Sequence, residues 1–127
     1  MDGSTPNFRL WWDDELGIVR ILWTTGVVCR LEDAQAVTTL VAAMGHGPVP
    51  LLTDDSGLSK MERAAREHFA QAEGVVSAVA VLARTAVARM IANFFIGMGH
   101  PSVPVRIFTD EQAAVTWLHG LGEPTSI

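Results

Sequence analysis

Hydrophobic positions follow two different periods along this chain. Five short apolar runs have the length and character of β-strands, at 8–12, 18–23, 48–53, 75–82 and 103–108. After the second run, the intervening stretches place apolar residues three or four apart, which is typical of amphipathic helices. A further helical stretch follows the last run. The pattern predicts the order β-β-α-β-α-β-α-β-α.

The first two runs are separated by acidic turn formers and a glycine, from Asp13 to Gly17. This spacing predicts a β-hairpin with a five-residue loop. Arg20 shares one face of the second strand with Ile18 and Leu22, so we expect that face to be only partly buried. Alternating strands and helices after a hairpin predict a fold of the α/β class. We expect an N-terminal antiparallel β-hairpin leading into a mostly parallel five-stranded sheet with four helices.

Local signals predict where the helices begin. The second and fourth helices have capping-box pairs, Ser59 with Glu62 and Thr109 with Gln112. The third helix starts at Thr85 and has the longest apolar stripe, which we interpret as core. Its members are Val87, Met90, Ile91, Phe94, Phe95 and Met98.

Two apolar sets have a second interpretation. The stripe of the third helix is extensive for a small protein, so dimerisation or an apolar ligand is an alternative to core packing. Arg84 and Arg89 flank the start of this helix and could hold an anion, although solvated charge is the simpler interpretation. We interpret the four tryptophans mainly as core residues. An exposed aromatic patch is the alternative, because Trp11 and Trp12 face opposite sides of a strand, so at least one of them could be accessible. The other two are Trp23 and Trp117.

Composition narrows the class of protein. The 127 residues are 49% hydrophobic and 18% charged, which predicts a single domain over 1–127 with an ordered core at about 7–119. We expect a loose start at 1–6 and a frayed polar tail from Gly120. The net charge of −5 argues against nucleic-acid binding. A single cysteine, Cys29, in an apolar context predicts a small buried hydrophobe and a reducing compartment. With no signal peptide or membrane-spanning run, we predict a cytoplasmic protein.

The candidate chemistry is concentrated in the corner 54–57, where two acids, a serine and a glycine follow an apolar run. Asp54 and Asp55 could hold Mg²⁺, but a tight turn in which they accept backbone N–H groups is the simpler interpretation. Ser56 lacks a nucleophile elbow, and the four histidines show neither triad nor zinc spacing. His68 is expected as a satisfied or half-exposed imidazole at the core boundary. The sequence predicts no catalytic site, no metal and no cofactor.

Four segments carry a resemblance to a known family. They are WWDDELGIVRILW (Trp11–Trp23), PLLTDDSGL (Pro50–Leu58), AREHFA (Ala65–Ala70) and ARMIANFFIGMGHPSVPVRIFTDEQAAVTWL (Ala88–Leu118). On these, the chain resembles the STAS fold family of anti-sigma-factor antagonist-like domains, which is grouped with the lipid-binding SEC14-like fold. It is similar in particular to uncharacterised actinobacterial members. The resemblance implies a non-enzymatic protein-interaction or regulatory module of unknown partner.

In signalling members of that family, a strand ends in an Asp-x-Ser-Gly-like turn, and a later Asp-Ser-Ser/Thr-Gly segment opens a helix with the phosphorylated hydroxyl. Asp54–Leu58 matches the first turn, because it directly follows a strand. The phosphoacceptor position then falls at 62–65, where the sequence Glu-Arg-Ala-Ala has no hydroxyl. The resemblance therefore implies the fold without the switch, with phosphorylation of Ser56 or Ser59 as the alternative.

These observations leave two functional hypotheses. The first is interaction with another protein or with a second copy of the chain. The second is binding of a small apolar, lipid-like ligand. The candidate interaction or ligand residues are Asp54, Asp55, Ser56, Arg63, Arg84, Phe94 and Phe95.

Overall fold

The computed structural model describes residues 2–122, in which four helices surround a six-stranded sheet of order β1-β2-β3-β5-β7-β8. A separate two-stranded sheet pairs β4 with β6. The strands are β1 (Asp2–Ser4), β2 (Phe8–Asp13), β3 (Ile18–Trp23), β4 (Val27–Cys29), β5 (Val49–Asp54), β6 (Leu58–Met61), β7 (Val76–Leu82) and β8 (Val105–Phe108). The helices are α1 (Leu31–Ala43), α2 (Arg63–Phe69), α3 (Ala86–Gly99) and α4 (Glu111–Gly122).

The predicted fold class is confirmed. β2 and β3 form the expected antiparallel hairpin, with Phe8 opposite Trp23 and Asp13 opposite Ile18. Asp13 closes its loop, because the Gly17 N–H donates to the Asp13 carbonyl at 2.8 Å. The pairs β3–β5, β5–β7 and β7–β8 are all parallel. The sheet is therefore antiparallel at its N-terminal edge and parallel beyond it.

Three short strands were not predicted. Residues 1–6 are not simply a loose start, since Asp2–Ser4 pairs antiparallel with β2. β4 and β6 pair in parallel across a long sequence separation, and the Ser59 hydroxyl donates to the carbonyls of Gly26 and Val27. Ser59 therefore joins two strands and does not begin a helix. Its capping-box prediction is wrong because tertiary pairing outweighs a matching local pattern.

The other predicted helix starts have mixed outcomes. Thr85 caps α3 as predicted, with its hydroxyl accepting from the Ala88 N–H at 3.0 Å. At α4, the carboxylate of Asp110 accepts from the Ala113 N–H at 2.9 Å, so the cap is Asp110 and the prediction for Thr109 is wrong. α4 continues to Gly122, so the helix extends past Gly120, where the frayed tail was predicted to start. The last five residues of that predicted tail, 123–127, lie outside the described residues.

The central sheet has two covered faces. Alternate residues of each strand point to opposite faces, so Leu51 joins the core beneath α1, α2 and α3, whereas Leu52 joins the core beneath α4. Arg20 lies on the α4 side, half-buried, and pairs with Asp13 and with Glu111 of α4. No helix in the described part of the chain is long and apolar enough to cross a membrane.

Candidate functional site

The corner after β5 is a hydrogen-bonded turn. The Leu58 N–H donates to the Asp55 carbonyl at 2.9 Å, which closes a four-residue turn. The Asp54 carboxylate accepts from the Ser56 N–H at 3.1 Å, as the turn interpretation expects of an acid at this position. The chain then continues into β6, and the next helix begins only at Arg63. The corner and the start of α2 are therefore separate features.

Gly57 is required at this corner by a close backbone approach. A Cβ atom there would lie 2.7 Å from the Trp23 carbonyl oxygen and 3.0 Å from backbone atoms of Thr24. The Gly57 carbonyl also accepts from the Gly26 N–H at 2.7 Å. The corner is thus joined directly to the end of β3, where only a residue without a side chain fits.

Three of the predicted site residues meet on the outer side of the corner. Arg84, which follows β7, forms an ion pair with Asp54 through Nη1 and Oδ2 at 2.9 Å. The Arg84 backbone N–H donates to the Ser56 hydroxyl at 3.2 Å. Parallel pairing of β5 with β7 brings the ends of both strands together, which explains the contact across 30 positions of sequence.

Asp55 lies on the inner side, where it is only 6% exposed. Its Oδ1 accepts from the Thr53 hydroxyl at 2.6 Å, and the Thr53 oxygen accepts from Trp23 Nε1 at 3.1 Å. Burial raises the pKa of Asp55 from its ordinary value of 3.8 to about 7, the Thr53 hydrogen bond opposes this rise, and the charge of Asp54 adds to it. The two neighbouring acids therefore have opposite environments.

This arrangement bears on the magnesium hypothesis. Asp54 is engaged by Arg84 at the surface, whereas Asp55 is buried and bound to Thr53, so the two carboxylates do not converge on one ion. Within residues 2–122, no group of three or more His, Cys, Asp or Glu side chains is placed to hold a metal. The corner is a structural turn with one buried acid.

A cavity of about 70 Å³ lies between the sheet and the three helices of its face. Its wall is mostly apolar and includes Val37 of α1, Phe69 of α2, and Ile91 and Phe95 of α3. The lining side chains with polar atoms are those of Trp23, Thr38, Thr53 and Asp55. Phe95 and Asp55, both predicted site residues, thus line the same cavity.

The apolar stripe of α3 is only partly core. Ala88 and Ala92 are buried against the sheet, and Ile91 and Phe95 are half-buried. Four large side chains are 44% to 65% exposed and form what we call the α3 outer face: Val87, Met90, Phe94 and Met98. The core prediction is wrong for these four, because the alanines occupy the side of the helix that contacts the sheet.

Two arginines lie beside this face. The guanidinium of Arg66, from α2, lies 4.6 Å from the centre of the Phe94 ring. Arg89 is the only charged residue within α3, and it is exposed. Arg63 is exposed, and its ion pair at 2.8 Å is with Glu67 on its own helix. Arg63 therefore does not join the corner with which it was grouped.

The remaining candidates have structural roles. Cys29 is buried, and burial together with the charge of Asp33 raises the pKa of its thiol, in agreement with the prediction of a small buried hydrophobe. His68 contacts the Thr38 hydroxyl at 2.9 Å, as expected for a satisfied boundary imidazole. Trp23 is buried, and Trp12 stacks on His46 with ring centres 3.9 Å apart.

Sequence reasoning missed the partners of Asp55. Thr53 precedes it by two positions and so points to the same side of the extended chain, a signal that was present in the sequence. Trp23 is on another strand, and its hydrogen bond to Thr53 depends on the parallel pairing of β3 with β5.

Comparison with known proteins supplies a family. Residues 10–121 match the family model described as Domain of unknown function (DUF7793). The chain belongs to the DUF7793 family. No curated protein matches the sequence. Neither this family nor the solved structure described next indicates an enzymatic activity.

A solved structure agrees with the fold of this DUF7793 chain. It is an uncharacterised protein of the DUF3478 family with a SpoIIAA-like fold, from Shewanella loihica PV-4. The two chains are 15% identical with a TM-score of 0.58, and the match covers 91% of this chain and 98% of the other. Similarity at this identity concerns the fold alone. The DUF7793 chain therefore has a STAS-like, SpoIIAA-like fold.

Proposed function

We propose that this protein is a non-enzymatic STAS-like interaction module that binds a partner protein through the α3 outer face. The observation that carries the proposal is the exposure of Val87, Met90, Phe94 and Met98 on one side of a helix. Their spacing of three, four and four residues places them in one continuous row. Contiguous exposed apolar surface of this kind often marks an interaction site.

The charges beside the row favour an acidic partner helix. α3 contains no acidic residue, and its own Arg89 and the neighbouring Arg66 supply positive charge. An amphipathic helix could cover the row with its apolar side and pair its flanking carboxylates with these arginines. In a two-fold dimer through α3, the same arginines would approach each other. A partner helix therefore suits the face better than a second copy of the chain.

We further propose that phosphorylation does not control this module in the way the STAS resemblance would imply. α2 begins at Arg63 after the cap residue Glu62, and the stretch 62–70 contains no serine or threonine. The Ser56 hydroxyl, in the earlier turn, accepts a hydrogen bond from the Arg84 backbone.

A single domain and a cytoplasmic location remain proposals, and the location is supported by the lone buried thiol of Cys29. The SEC14-like and actinobacterial parts of the resemblance also stay predictions.

The test uses a synthetic amphipathic helical peptide with leucines on one side and glutamates on its flanks. We expect binding by fluorescence anisotropy, and a roughly tenfold loss for Phe94→Ser, because central aromatic residues dominate such interfaces. Leu22→Ser is the matched control, since Leu22 is 46% exposed but lies on β3. A peptide with lysine flanks should bind more weakly.

Two results would overturn this proposal. Equal binding by the Phe94→Ser and wild-type proteins would place the contact elsewhere. A dimer detected by light scattering, and lost in Phe94→Ser but not in Leu22→Ser, would assign the α3 outer face to self-association.

A second candidate function is binding of a small apolar molecule, favoured by the cavity beneath α3. Its volume of about 70 Å³ is well below the roughly 300 Å³ of ordinary ligand pockets. It therefore suits a small molecule better than a lipid chain. Xenon, which enters dry apolar cavities, should shift the NMR signals of Ile91 and Phe95. The Ala72→Val variant, which adds volume to the lining, should weaken that response. Absence of any xenon response would exclude this candidate.

A further inference from the structure

Arg66 differs from the other arginines near the α3 outer face in what it contacts. Arg63 and Arg84 form ion pairs with carboxylates of this chain. Arg89 donates through Nη1 to a backbone carbonyl at 3.4 Å. Arg66 forms no ion pair with any carboxylate of the described residues, and its guanidinium lies over an exposed ring of the face. This guanidinium is therefore available to an acidic group that comes from outside the chain.

The Arg66 side chain is oriented by two contacts with α3. Its guanidinium carbon lies 4.6 Å from the centre of the Phe94 ring. Its methylene stem lies beside Gly99, where Cγ is 3.6 Å from the position that a Cβ atom would occupy. The side chain is thus directed across the apolar row before a partner binds, which lowers the conformational entropy lost on binding.

We propose that Arg66 determines which partner helix the α3 outer face accepts, by pairing with one carboxylate of that helix while its guanidinium stays stacked on Phe94. This inference rests on the proposed function and names the residue that gives the site its specificity. The partner is then an amphipathic helix with a glutamate or aspartate beside the apolar residue that covers Phe94.

Arg66 and Arg89 lie on different flanks of the row. Arg89 precedes Phe94 by five positions, which places it about 140° away around the helix. Arg66 reaches the ring from α2, and it is half-buried whereas Arg89 is exposed. An ion pair that is partly shielded from water is stronger than a fully exposed one. Arg66 therefore contributes more to the choice of partner than Arg89 does.

The shape of the guanidinium matters as well as its charge. Its planar fork can donate two N–H bonds to a carboxylate and stack on an aromatic ring at the same time. The ammonium group of a lysine keeps the charge but has neither the fork nor the plane. A lysine at this position is therefore a poor replacement for Arg66.

The experiment uses two synthetic amphipathic helical peptides that differ at one flank, which has glutamates in one peptide and glutamines in the other. By fluorescence anisotropy, the wild-type protein should bind the glutamate peptide about tenfold more tightly, the size expected of a charge-assisted pair. Arg66→Gln should lose most of this preference, and Arg66→Lys should keep only part of it. Arg106→Gln is the matched control and should keep the wild-type preference, because Arg106 also lies over a ring, 5.5 Å from the centre of Phe108, but belongs to β8.

A charge reversal separates recognition of the acid from simple packing. Arg66→Glu should prefer a third peptide, with arginines on the same flank, to the glutamate peptide. The wild-type protein should show the opposite order. Urea unfolding of each variant verifies that the full chain is folded in the binding measurements.

Three outcomes would count against these assignments. If Phe94→Ser binds the glutamate peptide as tightly as the wild type does, the proposed function and this inference both fall. If Phe94→Ser binds more weakly but Arg66→Gln keeps the full preference for glutamate, the inference alone is overturned. The same conclusion follows if Arg66→Gln weakens both peptides by the same factor, since Arg66 would then act only by covering Phe94.

Discussion

On one face of the central sheet, the single helix α4 lies against small side chains, whereas on the other face three helices cover a valine-rich surface. Ala78 and Ala80 of β7 and Ala114 of α4 allow close approach, and Leu118 is 1% exposed between them. On the opposite face, α1, α2 and α3 leave a cavity that contains a buried acid. The number of covering helices therefore does not decide how completely a face is filled.

The two helices α3 and α4 show the same contrast. α3 is richer in large apolar residues, yet its fully buried residues are alanines and four of its large side chains face outward. Side chains of about the right shape fill a core, and surplus apolar residues remain outside when the sheet offers no further surface. The apolar content of a helix therefore limits how many side chains it could bury, whereas packing against the sheet determines which of them are buried.

The largest expected effect is on the pH dependence of the free energy of unfolding, and it comes from Asp55, the buried acid on the face covered by α1, α2 and α3. The pKa of Asp55 is about 7 in the folded protein, against 3.8 as its ordinary value. Between these two values the unfolded chain loses the proton first, so the free energy of unfolding should fall as pH rises from about 4 to 7 and level off above. Each pKa unit is worth about 1.4 kcal/mol, so the upper bound is roughly 4 kcal/mol.

Asp55→Asn should remove most of this dependence, because asparagine can still accept from Thr53 and carries no titrating proton. Urea unfolding at pH 5, 6, 7 and 8 measures the effect. Asp54→Asn is the control and should keep most of the wild-type dependence, because burial, the largest cause of the raised pKa of Asp55, remains. Parallel pH curves for the wild-type and Asp55→Asn proteins would contradict the assignment.

The next effect concerns the close-packed face. Leu118→Ala should lower the free energy of unfolding by about 3 kcal/mol, since a fully buried leucine loses its contacts and leaves a cavity. Met98→Ala removes a side chain that is 64% exposed on α3, and it should cost less than about 0.5 kcal/mol. Chemical denaturation of both variants provides the measurement, and equal losses would refute the contrast between the helices.

Two alanine-to-valine substitutions, one on each face of the sheet, test the packing of the two faces directly. Ala80→Val adds volume where α4 approaches the sheet and should destabilise the protein by about 1–3 kcal/mol through overpacking. Ala72→Val adds the same groups beside the cavity and should be neutral or stabilise by up to about 1 kcal/mol. Thermal and urea unfolding would show the opposite directions, and a larger loss for Ala72→Val would mean that the cavity is not available for filling.

The smallest expected change in stability is at the α3 outer face. Phe94→Ser should alter the free energy of unfolding by no more than about 0.5 kcal/mol, since the ring is half-exposed and contacts the guanidinium of Arg66 rather than the core. A loss of several kcal/mol would show that Phe94 is a core residue after all and would remove the support for a docking surface.

Much of the architecture could be predicted from local patterns. The hairpin of β2 and β3 follows from periodicity and turn residues, and the cap at Thr85 follows from local capping chemistry. The same reasoning failed at Ser59 and Glu62, where a perfect local pattern for a helix start lies in a strand and its connection. Pairing of β6 with β4 supplies the hydrogen bonds there, and those partners are about thirty residues away.

The candidate site divides in the same way. Its position after β5 could be predicted, because a turn signal follows an apolar run. Two contacts of the site could not be predicted: the ion pair of Asp54 with Arg84 and the hydrogen bond from Trp23 to Thr53. Each joins two different strands or strand ends, and only the order of strands in the sheet brings them together.

By itself, the sequence determined the order of the five longer strands and four helices, the hairpin and the turn at 54–57, because these depend on periods and turn residues that act locally. Tertiary structure decided which of the adjacent acids is buried, which apolar side chains of α3 are left outside, and that a cavity lies under them. Burial depends on what lies opposite a residue, and residues opposite each other in this fold come from distant parts of the chain.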